Sequence, residues 1–246
     1  MAQQRLVAIV EARMGSSRLP GKVMHLLGGR PALQVMGERI RHAHSVADVI
    51  VATSDGPLDD ILAAACNDWG MKVFRGSELD VLGRLNGAAD RFGGEYIIKV
   101  TGDCPVIDPD LIDEVVGEAL KFEADLTSNG AVRTYPDGMD CAVIKTSALN
   151  ASAAQAVDPK EREHSTLFLR RRTHEFVVKN VLAPTELTWP DLRLTLDTPE
   201  DYRLLRKLFE DFGGDPPLAC MELIKWAELN PFVPARVREA PSTETS

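Results

Sequence analysis

Between Glu11 and Lys22 the chain reads Glu-Ala-Arg-Met-Gly-Ser-Ser-Arg-Leu-Pro-Gly-Lys, its densest run of chemically capable residues. Small residues there let backbone N–H groups turn toward an anion, and Arg13, Arg18 and Lys22 place three cations within ten residues. Guanidinium and ammonium groups in such a loop suit a triphosphate. A solvated basic loop would have the same composition, so this stretch alone leaves both readings open. It is not a Walker loop: five residues rather than four separate Gly15 from Gly21, and Val23 stands where the magnesium-binding Ser or Thr belongs. No G-x-G-x-x-G occurs, which argues against a dinucleotide site.

Two further stretches place carboxylates at strand ends. Thr101-Gly102-Asp103-Cys104-Pro105 follows an apolar run, and Asp103 beside a glycine is placed to hold Mg²⁺, a hard ion that prefers carboxylate and phosphate oxygen. Leu194-Thr195-Leu196-Asp197-Thr198-Pro199-Glu200-Asp201 puts Asp197 at the end of another run, with Asp197 or Thr198 able to cap the next helix. Taken singly, each is also an ordinary turn or cap. Asp108-Pro109-Asp110 spells a D-x-D, but its place after Pro105 reads as a helix cap. Cys104 lacks a base partner in the sequence and is not expected to act as a nucleophile.

Positioning these groups requires a regular scaffold, and the hydrophobic pattern supplies one. Short β-branched runs at 6–10, 49–53, 72–74 and 96–100 predict buried parallel strands. Between them, 31–44, 58–69 and 80–92 carry apolar residues at helical spacing, with Pro31 and Pro57 as first-turn prolines. Alternation of this kind predicts a three-layer α/β/α fold with a mostly parallel sheet, whose ligands bind beyond the carboxyl ends of the strands. After Asp125 turn chemistry takes over (Ser128-Asn129-Gly130, Tyr135-Pro136-Asp137-Gly138). A strand at 141–144, a helix at 161–172 and strands at 175–182 and 192–196 follow, then a helix at 199–212. We expect a single domain over 1–235, with 126–190 as an inserted acceptor or dimerisation arm and 236–246 as a disordered tail.

Composition narrows the function classes. With 44% hydrophobic and 26% charged residues, the chain is an ordinary globular protein. A net charge of −9 argues against non-specific nucleic-acid or anionic-membrane binding, which need a positive field. No run approaches the roughly 20 apolar residues of a membrane span, and no signal peptide is evident. Four dispersed cysteines fit a reducing compartment, so a cytoplasmic location is expected.

Together the motifs resemble those of the cytidylyltransferases that make CMP-activated sugars, the CMP-Kdo synthetase and acylneuraminate group, and more closely the spore-coat-polysaccharide branch. The resemblance runs in order through A-R-M-G-S-S-R-L-P-G-K, A-T-S-D (52–55), F-R-G-S with D-V-L-G-R (74–84), T-G-D-C-P (101–105), Y-P-D-G (135–138), R-E-H (162–164) and R-L-T-L-D-T-P-E-D-Y (193–202). It covers roughly residues 5–210. Thr101 and Cys104 flank the central Gly-Asp where CMP-Kdo synthetases carry Gln and Glu, and Met139-Asp140-Cys141-Ala142 replaces L-D-V-E. Both departures bear on the acceptor rather than on the nucleotide.

The resemblance implies a Rossmann-like, nucleotide-diphospho-sugar transferase (GT-A-like) sheet and Mg²⁺-dependent transfer of CMP from CTP to an anionic sugar, in surface glycan biosynthesis. It implies Ala12, Arg13, Gly15, Ser16, Arg18 and Lys22 as the triphosphate loop, and Asp103 and Asp197 as the metal carboxylates. Arg13, Arg18, Lys22, Asp103 and Asp197 thereby form the catalytic set. Ala52, Thr53 and Ser54, with Arg75, Gly76 and Ser77, would recognise cytosine, while Arg84 could equally be a surface charge. Tyr135, Asp137, Asp140, Arg162, Glu163 and His164 would serve the acceptor. A homodimer is expected from the arm. The competing readings are a nucleotidyltransferase or GT-A-like glycosyltransferase with a UTP-derived donor, CTP transfer to a phosphosugar or phosphonate, and a nucleotide sensor without turnover.

Overall fold

The structure, a computed structural model, describes residues 5–233; the expected disordered tail, 236–246, lies outside the described residues. In chain order the elements are β1 (Leu6–Glu11), a small hairpin of β2 (Leu26–Leu27) and β3 (Arg30–Pro31), α1 (Ala32–Ile40), β4 (Val46–Ser54), α2 (Asp60–Asp68) and β5 (Lys72–Gly76). Next come α3 (Val81–Phe92), β6 (Tyr96–Thr101), α4 (Pro109–Phe122), β7 (Leu126–Ser128), β8 (Cys141–Lys145) and α5 (Thr146–Gln155). The chain then forms α6 (Pro159–Glu163), α7 (Leu167–Arg170), β9 (Val178–Asn180), α8 (Pro199–Asp211) and α9 (Cys220–Leu229).

The β-branched runs become β1, β4, β5 and β6, which pair in parallel within a seven-stranded sheet of order β5-β4-β1-β6-β8-β7-β9. Only β8 runs against its neighbours. Side chains alternate between the two faces of each strand. Ala8, Val10, Val49, Val51, Ile98 and Val100 pack with α1, α2 and α4, while Ile9, Ile50 and Ile97 pack with α3, α5 and α7. A third cluster joins α8 and α9 to Leu192, Leu194, Leu196 and Tyr135. The chain leaves β1 toward β4 and β5, then returns to β6 on the other side. The carboxyl ends of β1 and β6 are therefore a topological switch point, where a crevice opens.

Segment 126–190 contributes β7, β8 and β9 to the main sheet, its turns serving the reversal of β8. Two sequence expectations are corrected. Residues 192–196 alternate like a strand but are not one. Leu194 N donates to Asp137 O at 2.7 Å and Leu196 N to Asp103 O at 2.8 Å, so the backbone is satisfied by loops, with one isolated bridge at Arg193. The helix expected over 161–172 is two short helices, α6 and α7, interrupted at His164, which leaves helical geometry at φ −107° and ψ 89°. No helix among the described residues is long and apolar enough to cross a membrane.

Candidate active site

The loop after β1 is held from below. Met14 N donates to Asp59 Oδ1 at 2.7 Å, and the other oxygen of Asp59 accepts from Ser54 N at 3.0 Å and from the Ser54 hydroxyl. Burial alone would raise the Asp59 pKa, but the hydrogen bonds from Ser54 and Met14 outweigh it and lower it. Gly102 N reaches Glu11 O at 2.9 Å. A Cβ on Gly102 would stand 2.8 Å from Ala12 Cβ, so only glycine lets the β6 turn lie against the loop.

Above this base lies a cleft of about 400 Å³. Its walls include Ala12, Arg13, Gly15, Ser16, Arg18 and Lys22 from the first loop, Asp103 after β6 and Asp197 before α8. Glu163 and His164 enter from the α6–α7 turn. Lys22 Nζ lies 3.1 Å from Asp103 Oδ2 and 3.0 Å from Asp197 Oδ1, and Arg18 Nη2 is 2.5 Å from Asp197 Oδ2. Thr198, not Asp197, caps α8, in a reciprocal capping box with Asp201. Asp201 also accepts from Asp197 N at 3.1 Å and pairs with Arg193 at 2.9 Å, which fixes the Asp197 backbone and leaves its carboxylate aimed into the cleft.

Two carboxylate oxygens that converge within about 3 Å of one ammonium can share a divalent cation. Among the described residues no group of three or more His, Cys, Asp or Glu gathers as a complete metal cage. The donor set therefore fits a hard ion that takes one or two carboxylates and completes its shell with phosphate and water oxygens. Cys104 is buried beside Asp103, and burial followed by that charge pushes its thiol well up, so it is no thiolate nucleophile.

The cleft also holds residues that sequence reasoning missed or left open. Arg84 is 3% exposed and lines the wall; its Nη1 donates to Ser77 O at 2.7 Å while its buried Nε has no hydrogen-bond partner among the described residues. Glu11 accepts from Ser165 Oγ at 2.7 Å and pairs with Lys99 at 3.2 Å. Burial would lower the Lys99 pKa, but Glu11 overcomes this and raises it. Alternating polar residues at the ends of β1 and β6 were the only trace of this pair in the sequence.

Other expected site residues lie elsewhere. Ala52, Thr53 and Ser54 are buried under the loop, where Ala52 O accepts from Ala12 N at 3.3 Å. Arg75 is spent on the turn after β4, donating to Ser54 O and Gly56 O, each at 2.9 Å, and pairing with Asp60 at 2.6 Å. Gly76 O accepts from Asp55 N, and Ser77 Oγ from Asp80 N. Tyr135 is fully buried in the third cluster with its hydroxyl 3.3 Å from Glu114. Asp137 is paired with Arg133 and with Arg193, and Arg162 with Asp80 and Ala153 O. Asp140 lines a second, smaller cavity of about 150 Å³ that meets the first at Thr101.

Residues 7–233 match the family model described as Cytidylyltransferase. The spore coat polysaccharide biosynthesis protein SpsF of Bacillus subtilis is 35% identical over 96% of this chain and 98% of its own. A 3-deoxy-manno-octulosonate cytidylyltransferase of Geobacter sulfurreducens is 38% identical over 144 residues, 57% of this chain and 56% of its own. The solved structure of a cytidylyltransferase from Leptospira borgpetersenii superposes with a TM-score of 0.86 at 31% identity, covering 93% of this chain and 95% of that one.

Proposed function

Because the chain belongs to the cytidylyltransferase family and is a nucleotidyltransferase, we propose that it transfers CMP from CTP to an anionic sugar acceptor, releasing pyrophosphate for surface glycan synthesis. The observation that carries this reading is the convergence of Arg18, Lys22, Asp103 and Asp197, from three distant segments, on one cleft at the switch point. Charge of both signs brought together there is what in-line displacement at an α-phosphorus requires, since such transfers depend on positioning and neutralisation rather than covalent chemistry.

In this mechanism the backbone and cations of the first loop bind the triphosphate, with Lys22 and Arg18 balancing charge that grows on the departing pyrophosphate. Asp103 and Asp197 would hold Mg²⁺, which supplies Lewis-acid stabilisation of the phosphate oxygens when bound. His164, which also lines the cleft, orients the attacking acceptor oxygen. Arg84 closes the nucleoside end. We also propose a cytoplasmic homodimer. Cys66, Cys104, Cys141 and Cys220 are buried and form no disulfide among the described residues, which fits a reducing compartment, and exposed Val132, Val177 and Leu182 flank the edge strand β9. A monomer in light scattering overturns the dimer.

A thermal-shift panel of CTP, UTP, ATP and GTP, with and without Mg²⁺, tests the reading. A ligand at 100 times its Kd should stabilise by about 2.7 kcal/mol, a shift of several degrees. Selective stabilisation by CTP with Mg²⁺, followed by acceptor-dependent pyrophosphate release, is the expected result. A flat panel overturns it, and a preference for UTP replaces it with a UTP-dependent transferase.

A further inference from the structure

Between Arg162 and Ser165 the chain is tied down at both ends and exposed in the middle. Arg162 pairs with Asp80, the cap of α3, and donates to Ala153 O on α5 at 2.7 Å. Ser165 is buried, and its hydroxyl donates to Glu11 Oε1 at 2.7 Å. The two residues between them, Glu163 and His164, are exposed and line the nucleotide cleft. Glu11 itself is a costly partner for the second tie. Its carboxylate is buried in the wall of the cleft, where an uncompensated negative charge would repel a triphosphate. Lys99 removes that objection. Glu11 faces Thr101 in the β1–β6 register, so Lys99, two residues earlier on β6, shares its face of the sheet and pairs with its Oε2 at 3.2 Å. Oε1 is thereby left for Ser165. A buried ion pair contributes little net stability, whereas a hydroxyl donating to a carboxylate makes a short, directional bond. What the pair supplies is the orientation of the turn.

We propose that Glu11 is a positioning residue, which holds the turn between α6 and α7 through Ser165 and so sets His164 against the bound nucleotide. The assignment rests on the cytidylyltransfer reading, because it needs a nucleotide in the cleft. The turn has an alternative that this bond opposes. His164 N donates to Lys160 O and Leu167 N to His164 O, each at 2.8 Å, so α6 and α7 are one small rotation at His164 from running on as a single helix. The helical spacing of 161–172 favours that continuation. Arg162 would still anchor the start of the segment, but without Ser165 on Glu11 nothing would fix the His164 backbone at φ −107° and ψ 89°, and the imidazole would swing from the cleft. Lys99 acts one step further back, by neutralising Glu11 and holding it still.

The test follows the imidazole signals of the full chain by carbon–proton correlation NMR, without acceptor, before and after saturation with CTP and Mg²⁺. The chain has five histidines, and the His164 signal is the one lost in His164→Gln. In wild type that signal should move when CTP binds, since a triphosphate alters the field at a neighbouring ring. Ser165→Ala removes one hydroxyl and no charge; it should cut the movement at saturation by at least half while keeping the CTP-induced thermal shift. Glu11→Leu should do the same. Glu11→Gln, whose amide still offers Ser165 an oxygen, should restore most of it, a rescue that a merely structural role would not produce. A wild-type movement in Ser165→Ala overturns the proposal, as does a wild-type movement in Glu11→Leu or a His164 signal that stays still in CTP-saturated wild type. Should the Glu11 variants not fold, Ser165→Ala decides alone. Failure of CTP to bind wild type, read as an absent thermal shift, overturns the underlying cytidylyltransfer reading instead.

Discussion

Asp59 is fully buried, yet it fastens the loop after β1 to the sheet through Met14 N and Ser54. Asp59→Asn replaces an acceptor by an amide whose N–H₂ opposes those donors, and should cost about 1–3 kcal/mol in thermal or urea unfolding. Because the folded pKa is depressed, the stabilisation is complete above the unfolded value near 4 and fades as pH falls through the lower folded value. Wild type should therefore lose this share of stability below about pH 4, and the Asn variant should show a shallower acid slope. Asp103→Asn is nearly isosteric and should unfold at the wild-type temperature, while its turnover falls by roughly 100-fold or more through lost charge stabilisation. Wild-type rates would remove Asp103 from the mechanism. Lys22, Asp103 and Asp197 were legible because each stands in a short turn whose residue types already imply chemistry. Asp59, Glu11 and Lys99 were not, since their roles arise from partners 45, 154 and 88 positions away.

Among the helices, α1 is anchored by one side chain. Arg39 is 4% exposed and its guanidinium donates to the carbonyls of Val106, Ile107, Pro216, Pro217 and Leu218 at 2.9–3.1 Å. Burial lowers its pKa to about 10, with Asp108 and Asp215 opposing the shift. Arg39→Met matches the bulk but leaves several carbonyls without donors, so a loss of about 3–5 kcal/mol is expected by urea denaturation. Lys cannot replace the fork. The strands and helices of the first 120 residues were legible because period and length agree there. Two later errors share one cause. Residues 161–172 have helical spacing throughout, yet the chain breaks at His164 so that Ser165 can reach Glu11 and His164 can face the cleft. Residues 192–196 have strand alternation, but their backbone partners are loops. Tertiary contacts overrode a correct local pattern in both. Helices α5 and α9 went unnoticed, α5 because its small residues, Thr146-Ser-Ala-Leu-Asn-Ala-Ser-Ala-Ala-Gln155, give little periodicity.

At the scale of the molecule, the change at Asp125 marked a reversal of strand direction rather than a boundary, because turns are needed to bring β8 in against its neighbours. One sheet therefore spans both cavities, and their spacing is as rigid as its hydrogen bonds. The carboxylate pair has a temporal consequence. Lys22 and Asp197 meet across 175 positions of sequence, and Asp103 joins them across 81 from the other side. Closing such long loops is entropically expensive and contributes nothing until most of the intervening chain is in place. After dilution from denaturant, helical circular dichroism should thus recover ahead of nucleotide binding, with the delay measured by stopped-flow fluorescence of a CTP analogue; simultaneous recovery would refute it. A chain cut just before Asp197 would keep the loop and Asp103 but lack the second carboxylate, so the two-sided charge of the cleft is among the last features that folding can complete.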